Sequence, residues 1–171
     1  MEATLLAAKG SGRILAGADI SQMPDKAFAG VDSQQVELAV AHLDIGDHEF
    51  AGCLALLTAD EHSRAKKFRF NHDRRRWCVA RAHLRRTLAT ALGLDAEELR
   101  FARHASGKPY LPAARQCHFN LSHAGDVAVV AVSTVAAVGT DVEPVRDIAD
   151  RDCVVKQFFS AHENQQFAQL P

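Results

Sequence analysis

The chain has 171 residues, which is enough for one domain or two small halves with a real hydrophobic core. Hydrophobic residues make up 47% and charged residues 24%, as is ordinary for a soluble globular protein. The net charge of −1 conceals a segregation, because residues 58–115 carry 14 basic and 6 acidic side chains whereas residues 116–171 carry 3 basic and 7 acidic ones. This segregation suits a multiply anionic ligand that contacts the basic residues on one side and a metal held by carboxylates on the other. The alternative is a basic helix that is simply solvated.

We expect neither a membrane segment nor a secretory signal in this sequence. No apolar run approaches the length needed to cross a bilayer, and the short apolar stretch near the N-terminus is interrupted by Lys9 and Arg13. The cysteines are scattered without a C-x-x-C pair, which argues against a disulfide framework or a structural zinc site: Cys53, Cys78, Cys117 and Cys153. We therefore expect a cytoplasmic protein with no membrane partner.

The first part of the chain predicts a lead-in, a strand and two helices. Residues 1–35 lack clear periodicity and are expected to be poorly ordered, and "VELAVAHLDI" (36–45) predicts a strand. Thr58 and Glu61 form a capping-box signature for a short helix. "NHDRRRWCVARAHLRRTLATALG" (71–93) predicts a long helix that begins at an Asn71 cap and ends at Gly93. Its apolar stripe is Trp77, Ala80, Leu84, Leu88 and Ala91, and Arg74, Arg81 and Arg85 lie beside that stripe.

The second part predicts mainly strands. "CHFNLSHAGDVAVVAVS" (117–133) reads as strand, turn and strand, and another strand follows in "VGTDVEPVRD" (138–147). "IADRDCVVKQFF" (148–159) predicts a helix, and Ser160 with Glu163 predicts the start of a further one. The order of elements indicates the α+β class.

Two carboxylates mark the end of the last predicted strand. Residues two apart on a strand face the same side, so Asp141 and Glu143 project together, roughly 7 Å apart at their Cα atoms. Mg²⁺ is typically held by one or two carboxylates together with substrate phosphates, which such a pair suits. An alternative for this pattern is ordinary polar surface.

Polar residues before this strand suit a phosphorylated ligand. In "SGKPYLP" (106–112), Lys108 stands between Gly107 and Pro109, where its ammonium can reach a phosphate. In "NLSH" (120–123), Asn120 and Ser122 share a face next to His123, and a hydroxyl and an imidazole can donate hydrogen bonds to a diphosphate. The alternative for His123 is a structural turn residue. A zinc site at His118 and His123 lacks a third ligand at a suitable spacing.

Together these motifs resemble a known family. "SGKPYLP", "FNLSHAGD", "VGTDVEPVRD" and "FFSAHE" are similar, in order and spacing, to motifs of the 4′-phosphopantetheinyl transferases of the surfactin-synthetase-activating type, and "FNHDRRRWCVARAHLR" is similar to that family's basic helix. The resemblance covers about residues 36–168. It implies a fold of two similar α+β halves with the ligand in their cleft, here with a first half at 36–133 and the start of a second at 134–171.

The resemblance implies transfer of phosphopantetheine from coenzyme A to a serine of an apo acyl or peptidyl carrier protein, with 3′,5′-ADP as the other product. Asp141 and Glu143 would hold Mg²⁺ against the diphosphate. Coenzyme A phosphates would be contacted by Lys108, Ser122 and His123, with the arginines as further candidates: Arg64, Arg76 and Arg85. Glu163 would act as general base or water-mediated metal partner, and its alternative is the capping residue of Ser160-x-x-Glu163. Metal, Lys108 and His123 would supply the charge neutralisation and alignment that catalysis needs.

The sequence also departs from this family. Members continue into a W-x-x-K-E motif with a third metal carboxylate, whereas the only tryptophan here is Trp77 and no Lys-Glu dipeptide occurs. We therefore expect a member that is truncated before that motif. Two alternatives stay open: a remnant that binds coenzyme A or a carrier protein without transfer, and a Mg²⁺-dependent nuclease. For a nuclease, the sequence lacks a third acidic residue in a comparable setting and the aromatic interleaving typical of single-strand binding, so we expect no nucleic acid partner.

Overall fold

The computed structural model describes residues 3–4, 13–15, 36–144 and 149–169. Most of the predicted lead-in at 1–35 lies outside the described residues. The strands of the described part are β1 (Ala3–Thr4), β2 (Arg13–Leu15), β3 (Val36–His42), β4 (Ala102–Arg103), β5 (Pro109–Tyr110), β6 (His118–Ala124), β7 (Val127–Ser133) and β8 (Glu143–Pro144). The helices are α1 (Asp47–Ala55), α2 (Ala59–Ala65), α3 (Asn71–Leu92), α4 (Arg151–Phe158) and α5 (Ala161–Phe167).

A four-stranded sheet in the order β2-β3-β7-β6 organises the chain. β7 pairs antiparallel with both β3 and β6, whereas β2 pairs parallel with β3. Two smaller ladders, β1 with β8 and β4 with β5, are also antiparallel. Helices packed on a mostly antiparallel sheet confirm the predicted α+β class.

The β6–β7 hairpin forms where the sequence predicted strand, turn and strand. Ala124 pairs with Val127, so Gly125 and Asp126 make a two-residue turn. Gly125 adopts φ +55°, a conformation that glycine reaches without steric cost and that such tight turns require. The hairpin places His123 and Asp126 at one end of the sheet.

α3 packs across one face of the sheet through its apolar stripe. Leu84 and Leu88 are buried against Ala39 of β3 and against Val130 and Val132 of β7. Burying each leucine contributes about 1.5–3 kcal/mol. The helix ends at Gly93, whose φ of +65° forms the left-handed C-cap that the sequence predicted. Its start differs from the prediction, because Asn71 is the first helical residue and Phe70 occupies the N-cap without a side-chain hydrogen bond.

The opposite face of the sheet is covered by an extended segment. Val138 and Val142 are buried against Leu38, Val129 and Ala131. The alternation of buried valines with exposed acidic residues in this segment is the one that the sequence predicted. This packing holds residues 138–142 beside β6.

Three local features differ from the predictions. The strand predicted for 36–45 ends at His42, and the unpredicted helix α1 follows it. The strand predicted around Asp141 is shorter than expected, because β8 contains only Glu143 and Pro144. Residues 138–142 are extended without a backbone ladder, since the N–H groups of Thr140 and Val142 donate to side chains instead.

None of the described helices combines the length and apolarity needed to cross a membrane.

Candidate functional site

A cleft of about 1170 Å³ runs along the first half of α3. Its walls come from the start of α2, from α3, from residues 99–103 and from the end of β6. Its lining is strongly basic and contains Arg64, Arg76, Arg81, Arg85, Arg100, Arg103 and His123, against Asp60, Glu61 and Asp73. A concave surface with this charge raises the local concentration of anionic ligands.

Arg64 and Arg76 line the cleft. Arg64 on α2 is exposed, with its guanidinium 5.6 Å from the centre of the Trp77 ring. Arg76 on α3 donates from Nε to Oδ1 of Asp126 at 2.8 Å, and its Nη2 is 2.6 Å from the same oxygen. This ion pair ties the β6–β7 turn to the helix. Both arginines line the cleft, and the coenzyme A contacts that the family resemblance implies for them stay predictions.

Arg85 lies in a different environment. Its side chain is 1% exposed, and its Nε donates to Oε2 of Glu61 at 2.9 Å. Its Nη1 donates to the carbonyls of Ala96 and Leu99, and its Nη2 donates to that of Leu99 at 3.3 Å. The guanidinium of Arg85 therefore supports the wall of the cleft and reaches a ligand less readily than the family resemblance implies.

Glu61 is a carboxylate at the centre of this basic lining. It accepts hydrogen bonds from the backbone and hydroxyl of Thr58 and from the Nε groups of Arg81 and Arg85. Burial by itself raises the pKa of Glu61, but the Thr58 backbone hydrogen bond and the adjacent Arg81 outweigh it and place the pKa below its ordinary value. Glu61 is therefore ionised at neutral pH and neutralises one of the two arginines.

β6 carries polar residues on both of its faces. His123 lines the cleft and is exposed. Asn120 and Ser122 hold the 138–142 segment, because Asn120 Oδ1 accepts the Thr140 N–H at 3.0 Å and Ser122 Oγ accepts the Val142 N–H at 3.2 Å. The predicted shared face of Asn120 and Ser122 therefore serves to position this segment.

The side chains of Ser122 and Lys108 tie the segment at further points. The Ser122 hydroxyl donates to Oδ1 of Asp141 at 2.7 Å. Lys108 lies between β4 and β5, directly before Pro109, and its ammonium donates to the Val138 carbonyl at 2.8 Å. Three predicted site residues, Lys108, Ser122 and Asp141, therefore meet at the extended 138–142 segment. The other predicted residues Arg64, Arg76, Arg85 and His123 line the cleft.

The residues around Asp141 fit a divalent cation in part. Asp141 and Glu143 are both exposed, and the buried Val142 between them sets their side chains on the same side of the backbone. Carboxylate oxygens are suitable ligands for Mg²⁺, which also takes water and substrate phosphate. Among residues 36–144 and 149–169, no group of three or more His, Cys, Asp or Glu side chains is arranged to hold a metal. The metal site therefore stays a prediction that rests on this pair.

Glu163 does not line the cleft, and its side-chain hydrogen bonds are made with Ser160. It is exposed, and its Oε2 accepts the backbone N–H of Ser160 at 2.8 Å and the Ser160 hydroxyl at 2.7 Å. These hydrogen bonds lower the pKa of Glu163. The structure thus forms the capping box that the sequence offered as the alternative for this residue. Its role as general base stays a prediction.

Sequence reasoning did not assign a ligand-binding role to Arg81, Phe101 or Asp126. The sequence pattern placed Arg81 in the line of arginines on α3, and the charge of Asp126, three residues after His123, was a usable signal for the ion pair with Arg76. Phe101 gave no signal, because its place in the cleft depends on how residues 94–101 fold back over α3.

Comparison with known proteins decides the family. Residues 45–135 match the family model described as "4′-phosphopantetheinyl transferase, N-terminal", which is more than half of the chain. The chain belongs to the 4′-phosphopantetheinyl transferase family. The matched segment contains α1, α2, α3 and the β6–β7 hairpin, so the basic cleft lies within the region shared with this family.

Relatives in this family come from several organisms. The chain is 33% identical over 142 residues to the 4′-phosphopantetheinyl transferase HetI of Nostoc sp., which covers 81% of this chain and 60% of that protein. It is 33% identical over 114 residues to a 4′-phosphopantetheinyl transferase of Bacillus subtilis, covering 64% of this chain and 48% of that protein. The chain therefore spans about half of the length of such relatives.

Proposed function

We propose that the protein transfers the 4′-phosphopantetheine group of coenzyme A to a serine hydroxyl of an apo acyl or peptidyl carrier protein. The observation that carries the proposal is the arginine-lined cleft of about 1170 Å³ inside the segment that matches the 4′-phosphopantetheinyl transferase family. Coenzyme A is a multiply phosphorylated substrate, and a basic cleft of this size suits it. Relatives named as 4′-phosphopantetheinyl transferases support the same activity.

Coenzyme A phosphates bind, on this proposal, to side chains on both sides of β6. Arg64, Arg76 and His123 face the cleft, and their donors suit phosphate oxygens. Lys108 completes the set with the ammonium N–H groups that its hydrogen bond to Val138 leaves over, and Ser122 joins it when its single O–H, which donates to Asp141 in this structure, turns to a phosphate oxygen. Arg85, which was also predicted to bind coenzyme A, acts mainly by supporting Glu61 and the 96–99 backbone.

Asp141 and Glu143 are the proposed ligands of Mg²⁺. Both offer exposed carboxylate oxygens, and the Ser122 hydroxyl orients that of Asp141. When bound, the cation supplies positive charge that neutralises the diphosphate. The protein's own contribution is to keep the two carboxylates on one side of a backbone that Asn120 and Ser122 hold in place.

The transfer step makes one bond and breaks one bond. The serine oxygen of the carrier protein attacks the phosphorus that bears the pantetheine arm, and the bond from that phosphorus to the bridging oxygen breaks, releasing 3′,5′-ADP. The serine proton must leave during attack, and Glu163 is the proposed acceptor, directly or through water. The hydrogen bonds from Ser160 lower the pKa of Glu163, so its carboxylate is ionised at neutral pH but is a weaker base, and on this proposal the capping box opens before Glu163 accepts the proton.

The metal part of the proposal is tested by Asp141→Asn. Coenzyme A binding is measured by titration calorimetry with and without Mg²⁺, for the wild type, for Asp141→Asn and for Asp95→Asn. Asp95 is an exposed aspartate outside the cleft and serves as the matched control. We expect Asp141→Asn to remove the Mg²⁺-dependent part of the affinity while thermal unfolding stays unchanged. An unaltered Mg²⁺ dependence in this variant rejects the assignment.

A further inference from the structure

The arginines that line the cleft differ in how many of their donors are already engaged. Arg76 is paired with Asp126, and Arg85 donates to Glu61 and to two carbonyl groups. Arg100 and Arg103 also donate to backbone carbonyls. Arg81 donates only from its Nε, to Oε1 of Glu61, among the hydrogen bonds of the described residues. Its two Nη groups therefore keep their donors available for a ligand.

Arg81 is also held in one orientation. Its guanidinium carbon lies 3.9 Å from the centre of the Phe101 ring, within the range of a cation–π contact. The carboxylate of Glu61 binds one edge of the guanidinium while the ring of Phe101 fixes its plane. The opposite edge carries the two Nη groups, and the side chain lines the cleft. Such pre-organisation lowers the entropy lost when a planar fork binds an anion.

The charge of this cluster leaves room for an anion. Glu61 carries one negative charge, and Arg81 and Arg85 carry one positive charge each, so the three side chains together keep a charge of +1. Arg85 is 1% exposed whereas the side chain of Arg81 is 14% exposed, so the accessible part of this charge is on Arg81. The ligand chemistry that suits a charged planar fork is a phosphate or a carboxylate group.

We propose that Arg81 is a substrate-binding residue that contacts a phosphate group of coenzyme A, with Glu61 and Phe101 as its positioning residues. This inference rests on the proposed function for the identity of the ligand. It gives Arg81 the coenzyme A contact that the family resemblance implies for Arg85. It also explains why a carboxylate lies in a cleft that binds an anion. Glu61 orients the guanidinium of Arg81, and the cluster of Glu61, Arg81 and Arg85 still keeps one positive charge.

The test is the binding of coenzyme A to Arg81→Gln, measured by titration calorimetry at low salt with Mg²⁺. The matched control is Arg74→Gln, which makes the same charge change on an exposed residue of α3 outside the cleft. We expect Arg81→Gln to weaken binding about ten- to a hundredfold, as for loss of a charge-assisted hydrogen bond, and Arg74→Gln to weaken it less than about threefold. Equal affinities for the two variants overturn the inference.

A second ligand identifies the phosphate. The same titrations with 3′-dephospho-coenzyme A lack only the ribose 3′-phosphate. If the penalty of Arg81→Gln disappears with this ligand, Arg81 contacts the 3′-phosphate, and if the penalty persists, it contacts the diphosphate; both results support the inference. A wild-type protein that binds neither ligand rejects the proposed function itself, which is a different outcome from equal affinities of the variants.

If Arg81→Gln does not fold, the variant Arg81→Lys, which retains the charge, provides the test. Arg81→Lys keeps a cation but loses the fork and the Nε contact to Glu61. We expect it to bind coenzyme A between three- and tenfold more weakly than the wild type, by about the loss of one hydrogen bond. Wild-type affinity in a folded Arg81→Lys protein contradicts a contact through the fork.

Discussion

The buried side chain of His83 makes the stability of the protein depend on pH between about pH 6.5 and pH 4. This histidine lies on α3, is 2% exposed, and has a hydrogen bond to the Ala39 backbone. Its Nε2 has no hydrogen-bond partner among the described residues. Burial lowers the pKa of His83 from 6.5 to about 4, and the Ala39 contact offsets only part of that effect.

The sign and size of the effect follow from proton linkage. Below pH 6.5 the unfolded chain binds a proton at His83 that the folded protein does not bind until about pH 4, so the free energy of unfolding falls as the pH falls. With these two pKa values the loss at pH 5 is about 2 kcal/mol relative to pH 7.5. The loss levels off below the folded-state pKa, where both states are protonated.

The assay is urea unfolding of the wild type and of His83→Gln at several pH values from 7.5 to 5. Glutamine keeps a donor for the Ala39 contact but does not titrate, so its profile loses the part of the slope that His83 contributes. As the pH falls from 7.5 to 5, we expect the wild type to lose about 2 kcal/mol more of its free energy of unfolding than His83→Gln loses, whatever the difference between the two proteins at pH 7.5. Parallel curves over this range refute a buried, neutral His83.

Two further variants test the side chains that hold the site. Glu61→Gln leaves the guanidinium of Arg85 buried without its carboxylate, so the free energy of unfolding should fall by about 3–5 kcal/mol in urea titrations, and a loss below about 1 kcal/mol contradicts a buried ion pair. Ser122→Ala removes the hydrogen bond to Asp141 and the one from the Val142 N–H. Hydrogen exchange of the Val142 amide should therefore become about fivefold faster, which corresponds to a loss of about 1 kcal/mol in protection. Unchanged exchange at Val142 shows that the hydroxyl does not hold the segment.

The fold was predictable where local sequence patterns and tertiary packing agree. α3 is long, its apolar stripe has the helical period, and Gly93 supplies a C-cap with positive φ, so its extent was predicted to within one residue at its C-terminal end. The β6–β7 hairpin has alternating residues and a glycine in the turn. α1 was missed although Phe50, Cys53, Leu54 and Leu57 have helical spacing, because nine residues depend on packing against α3 for stability.

The candidate site was predictable in its residue types but not in their assignments. Alternation placed Asp141 on the exposed side of its segment, and the motif around Ser122 predicted a residue that the structure connects to it. Helix phase placed Arg81 and Arg85 on one line but did not indicate which of them the 96–101 segment covers. That choice depends on contacts between residues distant in sequence, which a single helix pattern does not contain.

The central claim is tested most directly by intact-mass spectrometry of an apo carrier protein incubated with this protein, coenzyme A and Mg²⁺. Apo carrier proteins of the acyl and peptidyl types are incubated in parallel, with Asp141→Asn and a reaction without Mg²⁺ as controls. The account predicts a mass gain of one phosphopantetheine on a carrier protein, with loss of that gain in both controls. No mass gain on any carrier protein, in a sample that binds coenzyme A, contradicts transfer and leaves a protein that binds the substrate alone.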